Sequence, residues 1–258
     1  MTAPTPPPGR DLLAGKSVLV TAAAGTGIGS ATALRCLQEG AEVTISDRHE
    51  RRLAETAEAL SGQTGRKVRT AVCDVTVEEQ VRAMVDGVVE AHGRLDVLVN
   101  NAGLGGSVSI LEMTDEQWSQ VLDVTLNGTF RATRAALQVM AQQRSGVIVN
   151  NASVIGWRAQ REQAHYAAAK AGVMALTRSS AMDVADLGIR VNAVSPSIAA
   201  HPFLTRSADP GLLDDLAGRE AFGRAAEPWE VATVIAFLAS DYSTYMTGEI
   251  VSVSSQHP

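Results

Sequence analysis

The chain has 258 residues, 45% of them hydrophobic and 19% charged, with a formal charge of −6 at pH 7. That is enough apolar material for one sizeable core, and the acidic balance argues against a nucleic-acid surface, which would show clustered Lys and Arg. No apolar run reaches the roughly 20 residues that span a bilayer, and the start lacks the basic and apolar parts of a signal peptide, so a soluble, cytoplasmic protein without a membrane partner is expected.

In chain order, the opening TAPTPPPGR reads as a flexible Pro-rich tail over residues 1–10, ahead of a single domain at 11–258. KSVLVTA (16–22) is a short β-branched strand; glycines and a helix that stops near Gly40 follow it. Strands AEVTISD (41–47), KVRTAVCD (67–74) and RLDVLVN (94–100) alternate with helices at 49–60 and 77–92. A long helix over 115–143 leads to strand GVIVNNA (146–152), helix 164–186, strand IRVNAVS (189–195), helix 228–239 and a last strand, EIVSVS (249–254). Such alternation predicts an α/β fold, a Rossmann-like doubly wound parallel sheet of about seven strands with helices on both faces and ligand space at the strands' carboxyl ends. The Ala-, Pro- and Asp-rich segment 197–227 breaks the rhythm and is a candidate lid.

VTAAAGTGIGSATA (20–33) sets Gly25, Gly27 and Gly29 between the first strand and the first helix. There the backbone can approach a pyrophosphate, whose charge meets the positive end of the helix. Asp47, at the end of the second strand, can accept hydrogen bonds from the adenosine ribose and repels a 2′-phosphate, which favours NAD over NADP; Arg48 beside it tempers that preference. Cys36 and Cys73 read as buried hydrophobes, and the five histidines show no ligand spacing, so no metal is expected.

HYAAAKAG (165–172) places Tyr166 and Lys170 one helical turn apart on one face, and Ser153 lies thirteen residues before the tyrosine, just past a strand. With the glycine turn, NNAG (100–103) and VNAVSP (191–196), these motifs resemble the short-chain dehydrogenase/reductase family over nearly the whole chain. The resemblance implies Tyr166 as acid/base, Lys170 as its electrostatic partner and a ribose ligand, and Ser153 as donor to the substrate oxygen. The chemistry agrees: a free phenol with a pKa of about 10 is a weak base near neutrality, and a cation beside it favours phenolate.

By the same resemblance Thr21, Gly25, Thr26, Gly27, Ile28 and Gly29 hold the phosphates, with Asp47 and Arg48 at the ribose. Asp74 and Val75 line the adenine, Asn101, Ala102 and Gly103 the cofactor's middle, and Pro196 with Ala199 the nicotinamide. Three departures stand out. The turn is one residue longer than the family's TGxxxGxG, with Ala22 after Thr21; Thr125 of VTLNGTF stands where the family has a catalytic asparagine, Asn127 facing elsewhere; and Ser197 and His201 replace a usual glycine and threonine. Thr125 is expected to hold a lysine-bound water.

Trp157, Arg158, Gln160, Arg161, Gln163 and His165 lie between Ser153 and Tyr166 and suit either an anionic, partly apolar substrate or a subunit rim. TAAAGTGIG, VTLNGTF, SPSIAAHPF and VSVSSQ resemble dehydrogenases of bacterial steroid breakdown that oxidise a ring hydroxyl on a CoA-linked bicyclic, indane-type intermediate. Alternatives are a 3-oxoacyl thioester reductase of fatty-acid type and a non-catalytic cofactor sensor. Surplus apolar positions on helices 115–143 and 164–186 (Phe130, Leu137, Val139, Met140, Val173, Met174, Leu176, Met182), together with the apolar final strand, predict a homotetramer.

Overall fold

A computed structural model describes residues 5–200 and 210–255. Seven strands form one parallel sheet: β1 (Ser17–Val20), β2 (Glu42–Asp47), β3 (Arg69–Val72), β4 (Val97–Asn100), β5 (Gly146–Asn151), β6 (Ile189–Pro196) and β7 (Ile250–Val253), in the order β3-β2-β1-β4-β5-β6-β7. The doubly wound parallel sheet read from the alternating pattern is the fold observed. Strands β1 and β4 are buried along their whole length, which is why their sequences, SVLV and VLVN, carry almost no polar alternation.

The helices are α1 (Ile28–Gln38), α2 (Glu50–Thr64), α3 (Glu78–His92), α4 (Asp115–Leu122), α5 (Gly128–Gln143), α6 (Ala164–Val184), α7 (Pro210–Arg219) and α8 (Pro228–Ala239). On one face α1 packs against α2 and α8, and Leu37, Leu53 and Ile235 bury there with the outer side chains of β1 and β2. On the other, α3, α5 and α6 cover Leu19, Leu98 and Ile148. Each fully buried Leu or Ile contributes on the order of 1.5–3 kcal/mol of transfer free energy, so the two cores hold the sheet between them.

The strand order reverses between β1 and β4, and there the loops after the two strands part and leave a crevice at their carboxyl ends. The glycine turn follows β1, Asp47 ends β2, NNAG spans the end of β4, Ser153 follows β5 and Pro196 ends β6, so these residues gather at the carboxyl ends of the strands.

Three details differ from the sequence-based expectation. The helix expected over 115–143 is interrupted by a π-helical stretch at Asp123–Asn127, which separates α4 from α5. A further helix, α7, lies inside the segment read as a lid; His201 and the rest of 201–209 lie outside the described residues. Finally, Met140, Val173 and Met174 are buried in the chain's own core and are unavailable to a partner, whereas Phe130 and Met182 stand exposed.

The segment just before the first strand carries specific contacts. Arg35 Nη1 donates to Pro7 O at 2.6 Å, and Glu39 Oε2 accepts from the backbone N–H groups of Arg10 (2.8 Å) and Leu12 (3.0 Å). Arg35 and Glu39 are themselves a buried i,i+4 ion pair on α1.

Candidate active site

The glycine turn begins with strain. Ala22 has φ +49°, in the left-handed region where a side chain costs on the order of 1 kcal/mol, and it occupies the place where the family pattern has glycine. Gly29 is required by close approach: a Cβ there would stand 2.5 Å from Asn101 Nδ2 and 2.6 Å from Ala22 O. The additional residue of this turn is tied back to β2 and α2, because Gly25 N donates to Thr56 Oγ1 at 2.9 Å and Ala24 N to Asp47 Oδ2 at 3.4 Å. Above Gly25 and Gly27 no atom of the described residues comes within 4 Å of an added Cβ, and α1 starts at Ile28. A side-chain-free turn at a helix N-terminus, with a carboxylate at the end of the next strand, fits a dinucleotide pyrophosphate and its ribose.

Thr21 closes the inner wall, its Oγ1 accepting from the N–H groups of Asn101 (2.9 Å) and Ala102 (3.1 Å). Asn101 Nδ2 donates to Ala22 O (2.9 Å), and Asn151 Nδ2 donates to Asn101 Oδ1 (2.9 Å). One step deeper, Asn100 donates to Asn150 (2.9 Å) and Asn150 to Thr177 (2.9 Å). Two rows of amides thus lock the ends of β4 and β5 to each other and to α6, whose face bearing Tyr166 and Lys170 is thereby fixed against the sheet.

Asp47 Oδ1 accepts from His49 N at 3.0 Å. At the end of β3, burial acts to raise the Asp74 pKa, but hydrogen bonds from Thr76 N and Oγ1 and the nearby Arg48 and Arg131 hold its carboxyl below the usual range. Arg48, just past the neighbouring strand β2, is thus one of the cations that favour the Asp74 carboxylate. Val75 packs under Gly128 at the start of α5, where a Cβ would come within 2.7 Å of Val75 Cγ2. Pro196 ends β6, and Ala199 forms an isolated bridge with Ala226.

On α6, Tyr166 and Lys170 share a face, with Lys170 Nζ 5.5 Å from the centroid of the phenol ring. Ser153, at the end of β5, hydrogen-bonds the Tyr166 hydroxyl, so the three residues named from sequence meet in one place. Burial pushes the Tyr166 phenol up to about 12, the Ser153 hydrogen bond pulling the other way. Burial also brings the Lys170 ammonium down to about 8, with Nζ donating to Asn151 O at 2.5 Å. Burial thus opposes ionisation at both groups, and these side chains alone do not lower the phenol as the spacing suggests.

Thr125 lies in the π-helical stretch with its hydroxyl engaged twice, accepting from Leu104 N (2.9 Å) and donating to Leu104 O (3.1 Å). In any water chain from Lys170 it can only accept. Asn127 points away to Asp123 Oδ1 at 3.2 Å. Sequence reading did not find the partners of the 103–108 loop: Gln163 Nε2 donates to Gly106 O (2.6 Å), and Glu162 receives Ser107 Oγ (2.5 Å) and Val108 N (3.1 Å). His165 is buried and accepts the Tyr166 N–H on Nδ1 at 2.9 Å. Trp157 and Arg161 are exposed at the rim. Among the described residues no group of three or more His, Cys, Asp or Glu is placed to hold a metal ion.

A family model described as Enoyl-(Acyl carrier protein) reductase matches residues 22–255. The chain belongs to the short-chain dehydrogenase/reductase family. It is therefore an oxidoreductase of a family that uses nicotinamide cofactors. It is 65% identical over 251 residues, 97% of this chain and 96% of the relative, to the (5R,7aS)-5-hydroxy-7a-methyl-1-oxo-2,3,5,6,7,7a-hexahydro-1H-indene-carboxyl-CoA reductase of Mycobacterium tuberculosis. A 3-oxoacyl-[acyl-carrier-protein] reductase of Thermotoga maritima is 41% identical over 93% of this chain and 97% of its own. Among solved structures, a short chain dehydrogenase from Mycobacterium smegmatis superposes with a TM-score of 0.89 at 60% identity, covering 100% of this chain and 99% of that one. Among the described residues no helix is long and apolar enough to cross a membrane.

Proposed function

We propose that the chain interconverts a secondary ring alcohol and the corresponding ketone on a bicyclic, indane-type acyl-CoA of steroid breakdown, with NAD as cofactor, in the cytoplasm. The observation that carries this reading is the 65% identity, end to end, with the hexahydroindene-carboxyl-CoA reductase. The 3-oxoacyl reductase reading rests on a more distant relative, and a sensor without chemistry has no use for Ser153, Tyr166 and Lys170 gathered at one point.

The nicotinamide supplies the hydride acceptor or donor. In the oxidative direction the carbinol C–H leaves as hydride and the O–H proton passes to Tyr166; reduction reverses both. Ser153 donates to the substrate oxygen as its charge develops, and Lys170 stabilises the phenolate and binds the ribose. Thr125, through Leu104, positions the loop that faces them and accepts from the water on Lys170. Thr21, Gly25 to Gly29, Asn101 to Gly103, Pro196 and Ala199 hold the cofactor along the crevice, with Asp74 and Val75 at the adenine. A spectrophotometric panel of secondary alcohols and acyl thioesters tests the substrate class: bicyclic CoA esters rank first in kcat/KM, and a panel led by open-chain 3-oxoacyl thioesters contradicts the reading.

NAD specificity rests on Asp47, oriented by Ala24 N and His49 N, while Arg48 Nε donates to His49 Nε2 at 3.4 Å and its charge is shared with Asp74. In kcat/KM, NAD is preferred over NADP by about tenfold or more, the scale of ~1.4 kcal/mol. Equal use of the two means that Arg48 turns to the 2′-phosphate.

Assembly follows from what stays exposed. Phe130 and Met182 project from α5 and α6, and Phe237, Tyr242 and Tyr245 from α8 and the turn after it, beside the half-buried edge strand β7. Two such patches suit two dyads and a homotetramer of D2 symmetry. Light scattering then gives about four times 27.1 kDa. The monomer mass rejects both interfaces, and twice that mass leaves one.

A further inference from the structure

Three glycines of the loop after β4 run antiparallel to α6 along its catalytic face. A Cβ on Gly103 would lie 3.5 Å from Lys170 Nζ, one on Gly105 3.8 Å from Tyr166 Cδ2, and one on Gly106 3.4 Å from His165 Nε2. Gly103 belongs to the cofactor's stretch; Gly105 and Gly106 lie beyond it, beside Tyr166 and the residue before it. Neither of these two has a positive φ, so the backbone does not demand glycine. Packing does not demand it either, since 3.8 Å is ordinary van der Waals contact and 3.4 Å is at its edge, and among the described residues the only other heavy atom nearby is a second His165 ring atom. What the missing side chains do is leave space open next to the catalytic phenol.

Hydrogen bonds hold the loop on both sides of Gly105. Leu104 is held in both directions by Thr125, Gly106 O by Gln163, and Ser107 and Val108 by Glu162. Glu162 itself keeps a left-handed φ of +62°, a conformation that persists in a non-glycine residue only where its surroundings hold it. A strap pinned at both ends cannot swing aside to admit a broad substrate, nor close on a thin one.

We propose that Gly105 and Gly106 are specificity-determining residues that set the width of the passage to Tyr166, so that a fused-ring alcohol or ketone can lie flat against the strap while its oxygen reaches the phenol. The inference rests on the ring-bearing substrate class proposed above and adds the element that selects it.

Gly105→Ala and Gly106→Ala each place one methyl group in the passage. Both variants are to be compared with the parent chain by thermal unfolding, by NADH binding followed through fluorescence, and by kcat/KM for a bicyclic CoA ester and for an open-chain 3-oxoacyl-CoA. The expected result is an unchanged melt and NADH affinity, with the ratio of the two kcat/KM values shifted against the bicyclic ester by ~10-fold or more, chiefly through KM; one methyl group in a tight pocket acts on this scale. A ring preference in the parent chain that both variants retain overturns the role of the strap alone. A parent chain that prefers the open-chain thioester overturns the substrate class and the strap together.

Discussion

Tyr166→Phe slows turnover at least ~10²-fold while leaving the fold and NAD affinity close to those of the parent chain. The substitution removes one oxygen and keeps the ring, so packing on α6 persists; the lost hydrogen bond to Ser153 costs about 0.5–1.5 kcal/mol of stability. What disappears is the hydroxyl that meets Ser153 and belongs to the ring beside Lys170. Steady-state rates with a thermal melt and a cofactor titration check it. Near-normal turnover in a folded, NAD-binding variant removes Tyr166 from the proton transfer.

Lys170→Ala lowers kcat/KM and weakens NAD binding, and it also moves the pH dependence, which a merely structural residue would not do. Oxidation needs the phenolate, so its rate rises with pH as Tyr166 loses its proton. In the chain itself burial pushes that phenol up to about 12, and a protonated Lys170 nearby favours the small phenolate fraction present at lower pH. Lys170 is protonated below about 8 and loses this influence as pH rises through that value. Removing it therefore costs most below that value, and the parent-to-variant ratio of oxidation rates falls as pH rises through about 8. A ratio that stays constant across that pH would show that Lys170 only supports the helix.

The fold was legible because its strands are short apolar runs between clear breakers: KSVLVTA contains β1, and the helix read over 228–239 is α8 residue for residue. The meeting of Ser153, Tyr166 and Lys170 was legible too, since helical spacing joins two of them and the end of a strand supplies the third. Other features left no local trace. VTLNGTF keeps helical periodicity through the π-helical stretch, whose signature lies in the hydrogen-bond register rather than in side-chain type. The strap from Gly103 to Val108 depends on Glu162 and Gln163, more than fifty positions away, and nothing in either stretch announces the other. The raised Tyr166 pKa follows from burial, which only the folded chain reveals.

The most direct measurement follows an isotope. A bicyclic indane-type CoA ester carrying deuterium on its ring carbinol carbon is incubated with the protein and NAD, and the nicotinamide is analysed by mass spectrometry. Deuterium in the reduced nicotinamide, absent with Tyr166→Phe at matched times, is the predicted result. Unlabelled nicotinamide from that ester, alongside ready transfer from a deuterated 3-hydroxyacyl-CoA, would contradict the account.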